Sequence, residues 1–285
     1  MNDLQKYLST CFLGIAALLG GASPAFAAGA PALGAASSFA VLSAAPGGLG
    51  AVTCTDSAII GDVGSSGAPA SVVQTNCTIT GAVIAPVSAG VLTDFNSAYN
   101  ALAVVSCDQT LTGTLAGVTL APGVYCFDAA ATLTGTLTLQ GGANGVWIFK
   151  IGTSGTGALT GTNFSVVMAG GGQPCNVDWW VAQAATMTDS NFIGTILAGA
   201  AITLTRGTFS GNALAKAAVT VTGTNLVGCA GGQGHGNGKP KCNQGVGNGP
   251  EGCDPGNSNQ GDPSRSNDER GGVPGDPGRK GGNGK

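Results

Sequence analysis

The sequence predicts an all-β-dominated protein, a parallel β-helix carrying one long α-helix packed along its side. Three observations predict it. A threonine-studded phrase recurs at a constant interval, the part of the chain that carries it is almost uncharged, and a single segment breaks the phrase with helical spacing.

The recurrence is clearest in the second half. Residues 185–201 read ATMTDSNFIGTILAGAA, residues 202–218 read ITLTRGTFSGNALAKAA, and residues 219–225 read VTVTGTN. The offset between them is 17 residues each time. It places Phe192 with Phe209 and Leu226, Gly194 with Gly211, and Leu197 with Leu214. Upstream, LTGTL occurs at Leu111–Leu115 and Leu133–Leu137, and LTGTN begins at Leu159. Extending the register puts Leu111, Leu133, Leu159, Met187, Leu204 and Val221 in one column. The preceding column is Thr110, Thr132, Ala158, Thr186, Thr203 and Thr220. The following column is Thr112, Thr134, Thr160, Thr188, Thr205 and Thr222. TCTDSAIIG from Thr53 and QTNCTITGA from Gln74 fit as two further rungs.

Threonine-apolar-threonine has period two, so each triplet reads as a strand with its middle residue inward and both threonines outward. A strand repeated in register over coils of this length marks a solenoid. Seventeen residues are too few for a βαβ unit and enough for one turn of a β-helix. Recurrent glycines suit its corners, where positive φ is needed. Asp56 and Asp189 hold equivalent repeat positions, which suggests a turn role.

The exception runs from Val91 to Val105. There Val91, Phe95, Ala98, Leu102 and Val105 recur at helical spacing, with Ser88 or Thr93 available as the cap. A helix with one apolar stripe must lie on an apolar surface. The columns Trp180/Leu197/Leu214 and Trp179/Ile196/Ala213 offer one and leave the threonine face free.

The flanks differ in composition. Lys6, the apolar run from Cys11 to Leu19 and the small-x-small Ala25-Phe-Ala27 read as a secretory signal over residues 1–27, too short to span a membrane. Cys11 precedes the apolar run, so it does not form a lipoprotein site. Residues 28–232 form the expected solenoid domain. Residues 233–285 are rich in Gly, Asn and Pro, too poor in apolar side chains to offset ordering entropy, and are expected to be disordered. The protein is therefore expected outside the cell, as a monomer.

Eight cysteines follow the leader, an even number in an oxidising compartment, so disulfides are expected. Cys54–Cys77, Cys107–Cys126 and Cys242–Cys253 are plausible local pairs. The register places Cys175 in the column of Leu226, three rungs or about 14 Å away, so Cys175–Cys229 is not expected unless the chain bends.

Charge excludes several partners. The net charge is −3, and within 28–232 the only cations are Lys150, Arg206 and Lys216. Nucleic acid and an anionic membrane surface both require a basic patch. The seven aspartates of that region (Asp56, Asp62, Asp94, Asp108, Asp128, Asp178 and Asp189) are scattered, so neither the paired carboxylates of a glycosidase nor a cation site is expected. No catalytic residue, metal or cofactor is called for. His235 and the oxygen-rich CDPGNSNQGD from Cys253 lie in the tail, and the latter misses the EF-hand pattern. Asn76-Cys-Thr78 and Asn163-Phe-Ser165 are glycosylation sequons, the second of which would obstruct the threonine face.

The threonine columns are the remaining feature. In parallel strands they form a flat grid about 6.7 Å by about 4.8 Å, each methyl restraining water and each hydroxyl anchoring it. Such a grid suits a crystalline ligand, with ice the obvious one. On pattern alone, exposed threonine is also common because it is soluble and favours strands; the absence of charge on these columns argues against mere decoration.

Longer segments carry a resemblance. ASSFAVLSA from Ala36, AYNALA from Ala98, LTGTLAGVTLAPGVYCF from Leu111, NGVWIFKIG from Asn144, CNVDWWV from Cys175 and GTILAGAAITLTRGTFSGNALA from Gly194 together resemble the microbial ice-binding protein family, in order, over about Leu33 to Gly228. The resemblance implies a discontinuous, triangular β-solenoid flanked by one helix, binding ice through a flat face. It also implies a T-A/G-x-T/N signature there. Thr160-Gly-Thr-Asn163 and Thr222-Gly-Thr-Asn225 match, whereas Thr188…Asn191 and Thr205…Thr208 carry Asp189 and Arg206 at the small position. The expected ice contacts are thus Thr110, Thr112, Thr132, Thr134, Thr160, Asn163, Thr186, Thr188, Asn191, Thr203, Thr205, Thr208, Thr220, Thr222 and Asn225. The alternative is a secreted solenoid adhesin or matrix protein without ice affinity; a polysaccharide lyase or hydrolase is a weaker rival.

Overall fold

The computed structural model describes Gly29 and residues 32–229. The leader, the tail, His235 and the Cys242–Cys253 pair lie outside the described residues. In chain order the strands are β1 (Phe39–Ser43), β2 (Val52–Ile60), β3 (Asp62–Ser65), β4 (Val72–Ile79), β5 (Val83–Ile84), β6 (Gln109–Thr110), β7 (Thr119–Leu120), β8 (Gly123–Phe127) and β9 (Ala131–Gln140). They continue as β10 (Trp147–Ile151), β11 (Leu159–Ala169), β12 (Val177–Val181), β13 (Ala185–Ile193), β14 (Thr195–Ala198), β15 (Ile202–Ser210), β16 (Ala213–Ala215) and β17 (Val219–Val227). A helix, α1 (Ala89–Ala103), interrupts them.

Every pairing is parallel, as a solenoid requires. One sheet has nine strands in the order β5-β3-β1-β16-β14-β12-β10-β8-β6, and the other has eight, β4-β2-β17-β15-β13-β11-β9-β7. The order is discontinuous. The last coil (β16, β17) does not end the stack, because β1 and β2 from the N-terminal region lie on its open side. The TCTDSAIIG and QTNCTITGA rungs therefore continue the column beyond Val221 rather than beginning it.

The 17-residue register holds in detail. Phe192 pairs with Phe209 and Phe209 with Leu226, while Leu197 pairs with Leu214. Inward side chains stack along the axis, with Phe149 on Trp179 at 3.9 Å between ring centroids and Phe192 on Phe209 at 5.3 Å. At Gly211 an added Cβ would collide with the Gly194 carbonyl, so these corners need glycine for close approach as well as for φ.

Two members of the expected column are displaced. Leu159 pairs with Ala131 and Ala185, and the position of Met187 on that rung is taken by Gly161. Thr160 therefore joins the row of Thr186, and Thr162 joins Thr188. Leu111 is also out of register. Thr110 sits in β6, beside Cys126 in the nine-stranded sheet, and Thr112 lies in the irregular segment after it. Because side chains alternate with period two, a slip of two residues keeps every side chain on its own face, so alternation alone cannot detect it.

The helix begins two residues earlier than its apolar stripe suggests. Ser88 is its cap, its Oγ accepting from the Val91 N–H, whereas Thr93 donates back to the Ala89 carbonyl. Val91, Phe95, Ala98, Tyr99 and Leu102 are buried against Ile148, Trp180, Leu197 and Leu214, the outward residues of the nine-stranded sheet. Trp179, Ile196 and Ala213 alternate to the solenoid interior. Lys150, also outward and buried, donates from Nζ to the carbonyls of Ala103 (3.0 Å) and Val105 (2.5 Å), tying down the helix exit.

Among the described residues three disulfides are formed. Cys54–Cys77 and Cys107–Cys126, each with Cα atoms 5.8 Å apart, are the pairs expected from the sequence. The third, Cys175–Cys229 at 5.7 Å, corrects the reading that placed these residues too far apart. Cys175 is not in the Phe192 column. It lies in a 3-10 turn (Pro174–Asn176) that precedes β12, while Phe192, Phe209 and Leu226 belong to the other sheet. Cys229 has likewise left β17, so two off-register segments meet.

Candidate functional site

In the eight-stranded sheet, each strand from β11 to β4 along the stack carries an aligned residue with φ between 47° and 59°. These are Asn163 (φ 47°), Asp189 (50°), Arg206 (56°), Gly223 (59°), Asp56 (48°) and Asn76 (48°) on successive rungs from β11 to β4. Asp and Asn tolerate this conformation because their short side chains bond locally, which accounts for the equivalence of Asp56 and Asp189. A left-handed residue within a strand bends it and re-phases the alternation. In β13, for example, Thr186 and Thr188 point outward before Asp189, then Ser190 turns inward and Asn191 outward. The bend gives the solenoid its triangular section: one side under α1, one before the left-handed ridge and one after it.

The side before the ridge carries two threonine rows. Thr132, Thr160, Thr186, Thr203, Thr220 and Thr53 are paired in succession. Thr162, Thr188, Thr205, Thr222, Thr55 and Thr75 form the second row, and Thr134 stands two residues beyond Thr132 in β9. Among the described residues, none hydrogen-bonds to the hydroxyls of Thr186, Thr188, Thr203, Thr205, Thr220 or Thr222. No charged side chain lies in these rows.

The side after the ridge is different. Its nearest row is Thr136, Ser165, Asn191, Thr208, Asn225, Ala58 and Thr78. Here polar groups satisfy one another: Thr208 Oγ1 donates to Asn191 Oδ1 at 2.8 Å, and Asn191 Nδ2 donates to Ser165 Oγ. The next row out includes the exposed Val227 and Ile60. Asn163 belongs to neither side, since it is the ridge residue of its rung.

The expected contacts thus fall in four places. Thr132, Thr134, Thr160, Thr186, Thr188, Thr203, Thr205, Thr220 and Thr222 share one side. Asn191, Thr208 and Asn225 share the neighbouring side, Asn163 stands on the ridge, and Thr110 and Thr112 stand apart from all of these. Thr53, Thr55, Thr75 and Thr162 join the threonine side without having been singled out. The likeness of TCTDSAIIG to TMTDSNFIG was the signal for the first two; the two-residue slip concealed Thr162.

Within the eight-stranded sheet, the charged side chains Asp56, Asp189 and Arg206 all stand on the ridge. Arg206 Nε and Nη2 grip Asp189 Oδ1 and Oδ2 at 2.6 and 2.8 Å, a bidentate pair with side chains 60% and 41% exposed. The hydrogen bond from Arg206 holds the Asp189 carboxyl below the usual aspartate range. Two rungs away Asn76 Nδ2 donates to Asp56 Oδ1 at 2.7 Å. Among the described residues no cluster of three or more His, Cys, Asp or Glu could hold a metal ion, and no helix is long and apolar enough to cross a membrane.

The domain is thus a parallel β-solenoid with one uncharged, regular hydroxyl face. More specifically, the Ice-binding-like family model matches residues 34–227, and the chain belongs to that family. Solved structures of similar chains agree. An ice-binding protein from the Antarctic ascomycete Antarctomyces psychrotrophicus is 30% identical over 70% of this chain and 98% of its own, with a TM-score of 0.60. An ice-binding protein from an Antarctic Flavobacteriaceae bacterium is 37% identical, over 70% of this chain and 47% of its own, at 0.61. The domain of an ice-binding protein from Shewanella frigidimarina is 28% identical, over 70% and 97%, at 0.58. No curated protein matches the sequence.

Proposed function

We propose that this protein adsorbs to ice through the threonine side of its solenoid and thereby restrains ice growth and recrystallisation. The observation that carries the choice of side is the state of the hydroxyls. Among the described residues, those before the ridge have no hydrogen-bonding partner, whereas beyond it Thr208 and Ser165 are engaged with Asn191. A hydroxyl already bonded to its neighbour has less to offer water. β-branched threonines lose little rotamer freedom on docking, and many weak contacts on one rigid body act together. The action is adsorption and pinning of the growth front, with no chemical step.

The rest of the reading follows from this role. The leader ending at Ala27 directs export, residues 28–232 act as the ice-binding unit, and one copy suffices. The rival role of secreted adhesin without ice affinity draws no support from the family match. The test is partition of residues 28–232 into a slowly grown ice hemisphere against a soluble control. Wild type is expected in the ice, and Thr205→Tyr is expected to be excluded while its circular dichroism stays native. Thr208→Tyr, on the far side of the ridge, is expected to partition like wild type. The opposite pattern would move the site across the ridge, and exclusion of folded wild type would end the ice reading.

A further inference from the structure

The ridge itself points to a further role, which rests on the ice-binding reading above. Of the six ridge positions from β11 to β4, five carry a side chain and Gly223 alone has none. At that rung Thr222 and Asn225, on opposite sides, have no side chain of their own strand between them, and the nearest group is the Arg206 stem, whose Cγ lies 3.3 Å from where a Cβ would stand. One rung away the Arg206 guanidinium leans along the axis to Asp189. The pair flanks Thr188 and Thr205, central members of the second threonine row.

A crystal surface is planar, so contact can extend across the ridge only where nothing projects from it. Both members of the pair are also charged and solvated, and stripping water from such groups is costly. The bidentate geometry keeps the long Arg206 side chain in place on the Asp189 carboxylate instead of letting it fold aside.

We propose that the Asp189–Arg206 ion pair is a specificity-determining boundary, confining ice contact to the threonine side and so limiting the crystal orientations bound. This boundary holds Asn191, Thr208 and Asn225 out of the contact, in addition to the hydrogen bonds that already engage Asn191 and Thr208. Removing it joins the two sides, since glycine is compatible with the left-handed backbone at both positions.

The test uses the full chain with a C-terminal fluorescent protein, adsorbed to a single-crystal ice hemisphere of known orientation. Asp189→Gly/Arg206→Gly is expected to stain at least one orientation that wild type leaves dark, while keeping those wild type stains. Arg206→Gly alone, which removes the larger projection, is expected to shift the pattern in the same direction and serves if the double variant does not fold. A staining pattern identical to wild type, from a variant with native circular dichroism, overturns the boundary. No staining by wild type overturns the ice-binding reading and this proposal with it, whereas wild-type staining with an unchanged variant overturns the boundary alone.

Discussion

Lys150 shows how one side chain can anchor an element. Its stem is buried beneath α1, and its ammonium donates to two carbonyls at the helix exit. Lys150→Ala is expected to lower the unfolding free energy by about 2–3 kcal/mol, the worth of charge-assisted bonds left unmade, as measured by chemical denaturation. Burial also pushes its pKa below the ordinary lysine value. For a base, that means the unfolded chain holds the proton more tightly than the folded one. Stability from this group therefore rises with pH between the lowered folded value and the ordinary one, and is lost as pH falls back through that window. The difference in stability between wild type and Lys150→Ala should widen with pH over this alkaline window. At the other extreme, Asp189 is held low by Arg206, so its pairing is present above the ordinary aspartate range and lost on acidification below it. A carboxyl NMR titration should give Asp189 a midpoint below that of free aspartate, returning to the ordinary value in Arg206→Gln.

At the scale of the element, the left-handed residue decides where each long strand bends. Asp56→Val is expected to cost about 1–2 kcal/mol because a β-branched residue is strained at φ 48°, whereas Asp56→Gly should be far milder; thermal melts of the two would show the contrast. Thr-x-Thr alternation, the helix with its buried stripe and the two local disulfides were legible because each depends on spacing within one segment. The position of LTGTN was not, because a two-residue slip leaves Leu159 and Gly161 on the same face. Only the left-handed Asn163, aligned with Asp189, sets that strand's register. Sequence likeness of Thr160-Gly-Thr-Asn163 to Thr222-Gly-Thr-Asn225 is thus not structural equivalence, since Thr162 rather than Thr160 corresponds to Thr222. Cys175–Cys229 was hidden for a related reason. Register extrapolates along strands and fails where the chain leaves them, as it does at both cysteines. Closing a 54-residue span, the bridge is expected to contribute about 4 kcal/mol, so Cys175→Ser/Cys229→Ser should unfold at clearly lower denaturant.

At the scale of the molecule, discontinuity matters most. The C-terminal coil is sandwiched, β17 between β15 and β2, and β16 between β14 and β1. Removing residues 32–84 would strip its cover and expose two edges rich in unpaired backbone groups. Such a truncation is expected to aggregate or lose cooperative unfolding, whereas a stack ending at its last coil would tolerate the loss; calorimetry on the purified fragment distinguishes these outcomes. By itself the sequence determined the solenoid class, the inward and outward faces, the helix and the chemical character of the threonine rows. These depend on local periodicity and composition, which neighbours in the chain suffice to express. Tertiary structure decided which N-terminal rungs cover the last coil, how the ridge divides the polar residues into two sides, and which hydroxyls are left free. Those outcomes depend on contacts between residues far apart in the chain, and no period of two or of 17 encodes them.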